Sequence, residues 1–70
     1  MKTYNLNKLA SNLKTRRKQI GLTRQDLADK AKVNYNTIIK LESGANKNPT
    51  VSTLIGIAKV FKTRVEDLIS

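Results

Sequence analysis

The chain has 70 residues, with 14 Lys+Arg against 5 Asp+Glu, a formal net charge of +9, and neither cysteine nor histidine. A chain this short removes only about 60% of its unfolded surface from water, enough for one modest core and too little for a separate catalytic domain. The missing cysteine and histidine exclude disulfide frameworks, thiolate nucleophiles, imidazole acid–base chemistry and zinc knuckles, and they suit a reducing compartment.

No stretch approaches the roughly 18 apolar residues of a membrane span, and the N-terminal segment lacks the apolar run of a signal peptide, so a cytoplasmic location is expected. Residues 1–47 hold 11 of the basic residues against three acids, Asp26, Asp29 and Glu42. The expected partner is therefore a polyanion. Nucleic acid leads, because phosphates recur every few ångströms and each one neutralised releases condensed counterions. An anionic membrane surface would use Lys14-Thr15-Arg16-Arg17-Lys18 as its anchor, but no tryptophan and few bulky apolar residues accompany those charges. RNA is disfavoured because Tyr4, Tyr35 and Phe61 form no clustered stacking platform. Double-stranded DNA, with no membrane, is the expected partner.

Leu6, Leu9, Ala10, Leu13 and Ile20 recur at helical spacing, with the aliphatic stem of Arg17 filling one turn. They predict a first helix from about Leu6 to Ile20, closed by Gly21 in the left-handed conformation. Thr23 stands three residues before Asp26, a capping-box spacing that opens a second helix over about 24–31. Asn34 is a good N-cap for a third, about 35–42, carrying Ile38, Ile39 and Leu41. So short a connection between the second and third helices makes them cross steeply, a helix-turn-helix geometry.

Residues 43–49 are turn-forming, and Thr50 caps a fourth helix bearing Val51, Leu54, Ile55, Ile57, Ala58 and Phe61. Thr63 and Glu66 repeat the capping-box spacing ahead of Val65, Leu68 and Ile69 in a last short helix. No strand signal or repeat is present. Leu27, Ala28, Ile38, Leu41, Leu54, Ile55, Ala58 and Leu68 are expected in the core. Catalysis is not expected: Asp26 and Asp29 lie one turn apart on a surface helix, Glu66 and Asp67 are adjacent, and no nucleophile, base or metal constellation surrounds either pair. No cofactor is expected.

Residues 21–28 (GLTRQDLA), Val33-Asn34-Tyr35-Asn36-Thr37-Ile38, Leu41-Glu42-Ser43-Gly44, Asn48-Pro49-Thr50, Leu54, Ala58 and Val65-Glu66-Asp67-Leu68 together resemble the Cro/C1-type (phage-repressor-like, XRE) helix-turn-helix family. The dispersed pattern runs over roughly residues 6 to 69, which makes chance agreement far less likely than for one short motif. The resemblance implies an all-α, compact five-helix, lambda-repressor-like DNA-binding domain over residues 6–70, with its helix-turn-helix at helices 2 and 3. Residues 1–5 are expected to form a flexible N-terminal arm.

In this family the second helix of the motif lies in the major groove, and dimers read half-sites about one helical turn apart. The resemblance assigns base reading to Tyr35, Asn36 and Lys40. Asn36 could pair bidentately with adenine, Lys40 could donate to guanine, and Tyr35 could touch a thymine methyl or donate to a phosphate. Phosphate or flanking contacts fall to Thr23, Arg24, Asn34, Thr37, Ser43 and Lys47, and a structural ion pair to Arg17 and Glu42. Two departures from the pattern stand out. Arg24 replaces a common glutamine, exchanging a neutral amide for a salt-dependent phosphate clamp, and Lys32 replaces a common glycine, placing a Cβ in a left-handed turn at roughly 1 kcal/mol cost.

The resemblance implies a sequence-specific transcriptional regulator, most simply a homodimeric repressor on an inverted repeat, paired through the low-charge region around helices 4 and 5, where Val51 or Val65 could be exposed. The alternative is an antitoxin or protein-docking module that neutralises a protein partner and autoregulates its operon. Either could be a short complete regulator or a domain cut from a longer protein with a further C-terminal domain.

Overall fold

The computed structural model describes residues 7–46 and 48–69, in five helices. These are α1 (Asn7–Gln19), α2 (Arg24–Ala31), α3 (Tyr35–Ser43), α4 (Val51–Phe61) and α5 (Val65–Ile69). No strand occurs among the described residues. The expected arm at residues 1–5 and the side chain of Lys47 lie outside them.

The starts of α2, α3 and α4 each follow from a side chain that satisfies free backbone N–H groups. The Thr23 hydroxyl accepts from the Asp26 N–H at 3.0 Å while the Thr23 N–H donates to the Asp26 carboxylate at 3.1 Å, a complete capping box on α2. Asn34 Oδ1 accepts from the Asn36 N–H at 2.8 Å to open α3, and the Thr50 hydroxyl accepts from the Thr53 N–H at 3.1 Å to open α4. Endings are as local. Gly21 closes α1 at φ +74°, where its N–H reaches the Lys18 carbonyl and the Leu22 N–H reaches that of Arg17.

Lys32 takes the expected left-handed conformation, φ 59°, and its N–H and that of Val33 return to the carbonyls of Asp29 and Ala28. Lys62 repeats this arrangement at the end of α4, with φ 55° and N–H bonds from Lys62 and Thr63 to Lys59 and Ala58. That second left-handed lysine carries no glycine-like signal in the sequence.

Leu9 and Leu13 of α1, Leu27, Ala28 and Ala31 of α2, Ile38 and Leu41 of α3, Leu54, Ile57 and Ala58 of α4, and Leu68 of α5 make one buried cluster. Helix α1 lies against α3 and α5, α2 against α3 and α4, and α4 against α5. Asn12 Nδ2 donates to the Leu68 carbonyl at 2.7 Å, tying α1 to the end of α5. The motif helices are thus clamped from behind by α1 and α4, leaving their N-terminal ends outward.

Three expectations are corrected. Ile20 lies in the turn after α1 and is exposed, because the helix ends at Gln19 and Gly21 swings the chain away. Ile55 is 42% exposed rather than core: Leu54, Ile57 and Ala58 already fill the inward stripe of α4, so Ile55 and Val51, one turn apart, share an outer ridge. At α5 the capping carboxylate is Asp67 and not Glu66. Asp67 accepts from the Thr63 hydroxyl at 3.0 Å and from the Arg64 N–H at 3.4 Å, since the helix starts one residue later than the Thr63–Glu66 spacing implies.

Candidate nucleic-acid interface

Helix α3 divides cleanly into two faces. Ile38, Leu41 and Glu42 are buried, and Asn36, Lys40 and Ser43, spaced four and three residues apart, lie on the opposite, exposed side. Tyr35 is one residue from Asn36, hence about 100° around the helix. It stands 41% exposed on the flank towards α2. There it joins Arg17, Gly21, Leu22, Thr23, Arg24 and Gln25 in lining a shallow depression at the N-terminus of α2. The structure therefore puts Asn36 and Lys40 on one stripe and Tyr35 beside Thr23 and Arg24.

Several candidate side chains also have local duties. Thr23 and Asn34 are the caps of α2 and α3. Asp26, facing Thr23, is held below the ordinary carboxylate value by the Thr23 N–H and then by its hydroxyl. The Ser43 hydroxyl donates to the Lys40 carbonyl at 3.1 Å and accepts from the Ala45 N–H at 3.3 Å. Thr37 is half-buried on the side of α3 away from Tyr35. Gln25 donates to Asp29, an exposed acid of α2, at 2.8 Å.

Behind the depression sits a buried carboxylate. Arg17 Nε donates to Glu42 Oε2 at 2.7 Å and its Nη2 to Oε1 at 3.1 Å, a two-toothed pair of the strong, charge-assisted kind. A third donor, Nη1, reaches the Leu22 carbonyl at 2.8 Å, so Arg17 also fixes the turn between α1 and α2. Burial alone would push the Glu42 carboxyl up, but hydrogen bonds from Arg17 and Arg24 outweigh it and hold the group below its ordinary value. Arg17 is raised in turn, chiefly by its hydrogen bond to Glu42, so both stay charged.

Sequence reasoning missed the third member. Arg24 Nε donates to Glu42 Oε1 at 3.2 Å, with 44% of the Arg24 side chain still exposed. The two residues lie 18 apart in the chain, so no local spacing signals the contact. The available hint was chemical: a carboxylate has room for more than one guanidinium, and Arg24 stands where the resembled family places a neutral amide.

The family model for a helix-turn-helix matches residues 13–68. An HTH-type transcriptional regulator of Archaeoglobus fulgidus, itself described as uncharacterized, is 42% identical over 52 residues, covering 74% of this chain and 73% of that protein. Among solved structures, the biofilm master regulator SinR of Bacillus subtilis, in a complex with DNA, aligns with a TM-score of 0.82 at 27% identity, over 86% of this chain and 95% of that one. SinR also has a structure in complex with SinI. The restriction-modification controller protein C.AhdI of Aeromonas hydrophila shares the fold at a TM-score of 0.83 and 20% identity, over 91% of this chain and 96% of its own. With its five-helix fold, its capped motif helices and these relatives, the chain belongs to the Cro/C1-type (XRE-like) helix-turn-helix family of DNA-binding transcriptional regulators.

Proposed function

We propose that the chain is a sequence-specific transcriptional regulator that binds double-stranded DNA as a homodimeric repressor, each copy laying α3 in the major groove of one half of an inverted repeat. The observation that carries this reading is the exposed polar stripe of Asn36 and Lys40, free of acids, adjoining the N-terminus of α2 with Thr23 and Arg24. The stripe supplies an amide suited to adenine and an ammonium suited to guanine, while the helix N-terminus and Arg24 supply donors for the flanking phosphate. Tyr35, beside Arg24, takes a phosphate or a thymine methyl. Asn34, Thr37, Ser43 and Lys47 flank these contacts. Residues 6–70 act as the DNA-binding unit, working in the cytoplasm.

The exposed ridge of Val51 and Ile55 on α4 supports pairing through the region of lowest charge. A second reading draws on the same ridge and on SinR, which has a structure with a protein partner. In it the ridge docks a different protein, and DNA binding serves autoregulation.

Selection of sites from a random duplex pool by the purified chain, at near-physiological salt with competitor DNA, tests the proposal. Enrichment of an inverted repeat with half-sites about one turn apart is the expected result. Salt-sensitive binding with no enriched sequence would favour the docking reading.

A further inference from the structure

Glu42 is 2% exposed at its side chain and carries two guanidinium groups on one carboxylate. Arg17 uses Nε, Nη1 and Nη2 within the protein and is buried, so its part is structural. Arg24 is bound differently. Its Nε alone is engaged, and its Nη1 and Nη2 find no acceptor among the described residues. The side chain leaves the first turn of α2, and its residue lines the depression shared with Thr23 and Tyr35.

From this geometry we infer that Glu42 is a positioning residue for DNA binding: it holds the guanidinium plane of Arg24 by Nε so that Nη1 and Nη2 present a preformed two-toothed donor to a DNA phosphate. The inference rests on the DNA-binding reading above and goes beyond it in making Arg24 a fixed fork rather than a mobile positive charge. The electrostatics agree. Arg17 neutralises the buried carboxylate, so the trio keeps a single positive charge, and that charge belongs to the exposed arginine. Holding the plane in advance also removes rotamer freedom that a free arginine would lose on binding. A lysine at position 24 would keep the charge and lose both the Nε anchor and the fork.

A thermodynamic cycle on a fluorescent random-sequence duplex tests this. In the wild-type chain Arg24→Lys is expected to weaken binding roughly five- to tenfold, the difference between an oriented bidentate donor and a point charge. The background variant is Arg17→Met with Glu42→Leu, since well-packed apolar replacement of a whole buried pair is often tolerated where removal of one partner is not. There Arg24 has no anchor, and Arg24→Lys is expected to cost less than about twofold. Equal losses in both backgrounds, or no loss in the wild type, would overturn the inference. A wild-type chain that binds no duplex at any salt would overturn the DNA-binding reading together with it.

Should the double variant fail to melt cooperatively, the native chain itself decides through the Nε–H resonances of its arginines. Arg24 is expected to give a resolved signal under conditions where that of Arg64, with a side chain 80% exposed, has exchanged away, and to keep it when duplex is added. Loss of the Arg24 signal, free or on DNA, would overturn the inference, because a purely electrostatic contact needs no persistent Nε bond.

Discussion

A Cβ at Gly56, in the middle of α4, would stand 2.6 Å from the carbonyl oxygen of Ala31, the last residue of α2. The neighbour is backbone, which cannot swing aside as a flexible side chain would. Gly56 is therefore what lets α4 approach the motif from behind, and a helix-interior glycine is kept despite its intrinsic cost of roughly 1 kcal/mol against alanine. On propensity alone Gly56→Ala would stabilise. The overlap opposes that gain with an overpacking cost of about 1–3 kcal/mol, so a net destabilisation of up to about 2 kcal/mol is expected. Thermal melting reads the sign, and a raised Tm would mean that α2 and α4 separate without strain.

The two left-handed lysines predict the opposite outcome. Lys32 and Lys62 hold φ of 59° and 55°, a conformation that costs a residue with a Cβ roughly 1 kcal/mol and glycine very little. Lys62→Gly is expected to gain up to about 0.6 kcal/mol once about 0.4–1 kcal/mol for the added freedom of the unfolded chain is discounted, or a few degrees in Tm for a domain of this size. Lys32→Gly is expected to gain as much. It should also leave the slope of log affinity against log salt unchanged, since Lys32 is an exposed turn residue; a fall of one unit would assign it a phosphate.

What could be read in advance, and what could not, divides by distance along the chain. The caps at Thr23, Asn34 and Thr50 act over two or three residues, and the local pattern spells them out, whereas the left-handed turn at Lys32 followed from the family resemblance and its twin at Lys62 had no such guide. The stripe of Asn36 and Lys40 was legible for the same reason, because four residues along a helix fix a shared face whatever lies behind it. Ile55 was misjudged because its burial depends on how far α2 and α5 reach across α4, a property of packing and not of apolar spacing. Arg24 and Glu42 show the same limit in the site itself: the contact exists only once α2 and α3 have crossed. At α5 an error of one residue was enough to exchange Glu66 for Asp67, since both carboxylates stand at plausible capping distance.

The buried carboxylate gives the protein an acid limit. The Glu42 carboxyl is held below its ordinary value of 4.5, the hydrogen bonds from Arg17 and Arg24 prevailing over burial. A depressed folded-state pKa contributes stability that is fully present above the unfolded value and is lost as pH falls through the folded one. Stability is therefore expected to be flat with respect to Glu42 near neutrality and to decline below about pH 4.5. The contribution of Asp26, depressed by its capping bonds to Thr23, begins to fall only below about pH 3.8. Melting temperatures from pH 7 to strong acid check this. The Arg17→Met, Glu42→Leu variant is expected to lose less Tm on acidification than the wild type, whereas Glu42→Gln alone should destabilise at neutral pH by about 3–5 kcal/mol through the uncompensated Arg17.

Base reading and phosphate holding predict different signatures on the two sides of the motif. Asn36 lies on the exposed stripe of α3, with its backbone N–H engaged in the Asn34 cap and its side chain directed away from the core. Asn36→Ala is expected to cost roughly 1–3 kcal/mol on a selected site and almost nothing on random duplex, relaxing the preference at one base position. Arg24→Gln is expected to weaken binding to both DNAs alike and to lower the salt slope by about one unit, as the loss of one phosphate contact requires. Both are read from anisotropy titrations of the two duplexes over a range of salt. An equal loss on random duplex for Asn36→Ala would move base reading off this stripe, and since the Asn36 side chain makes no hydrogen bond among the described residues, that loss could not be attributed to misfolding.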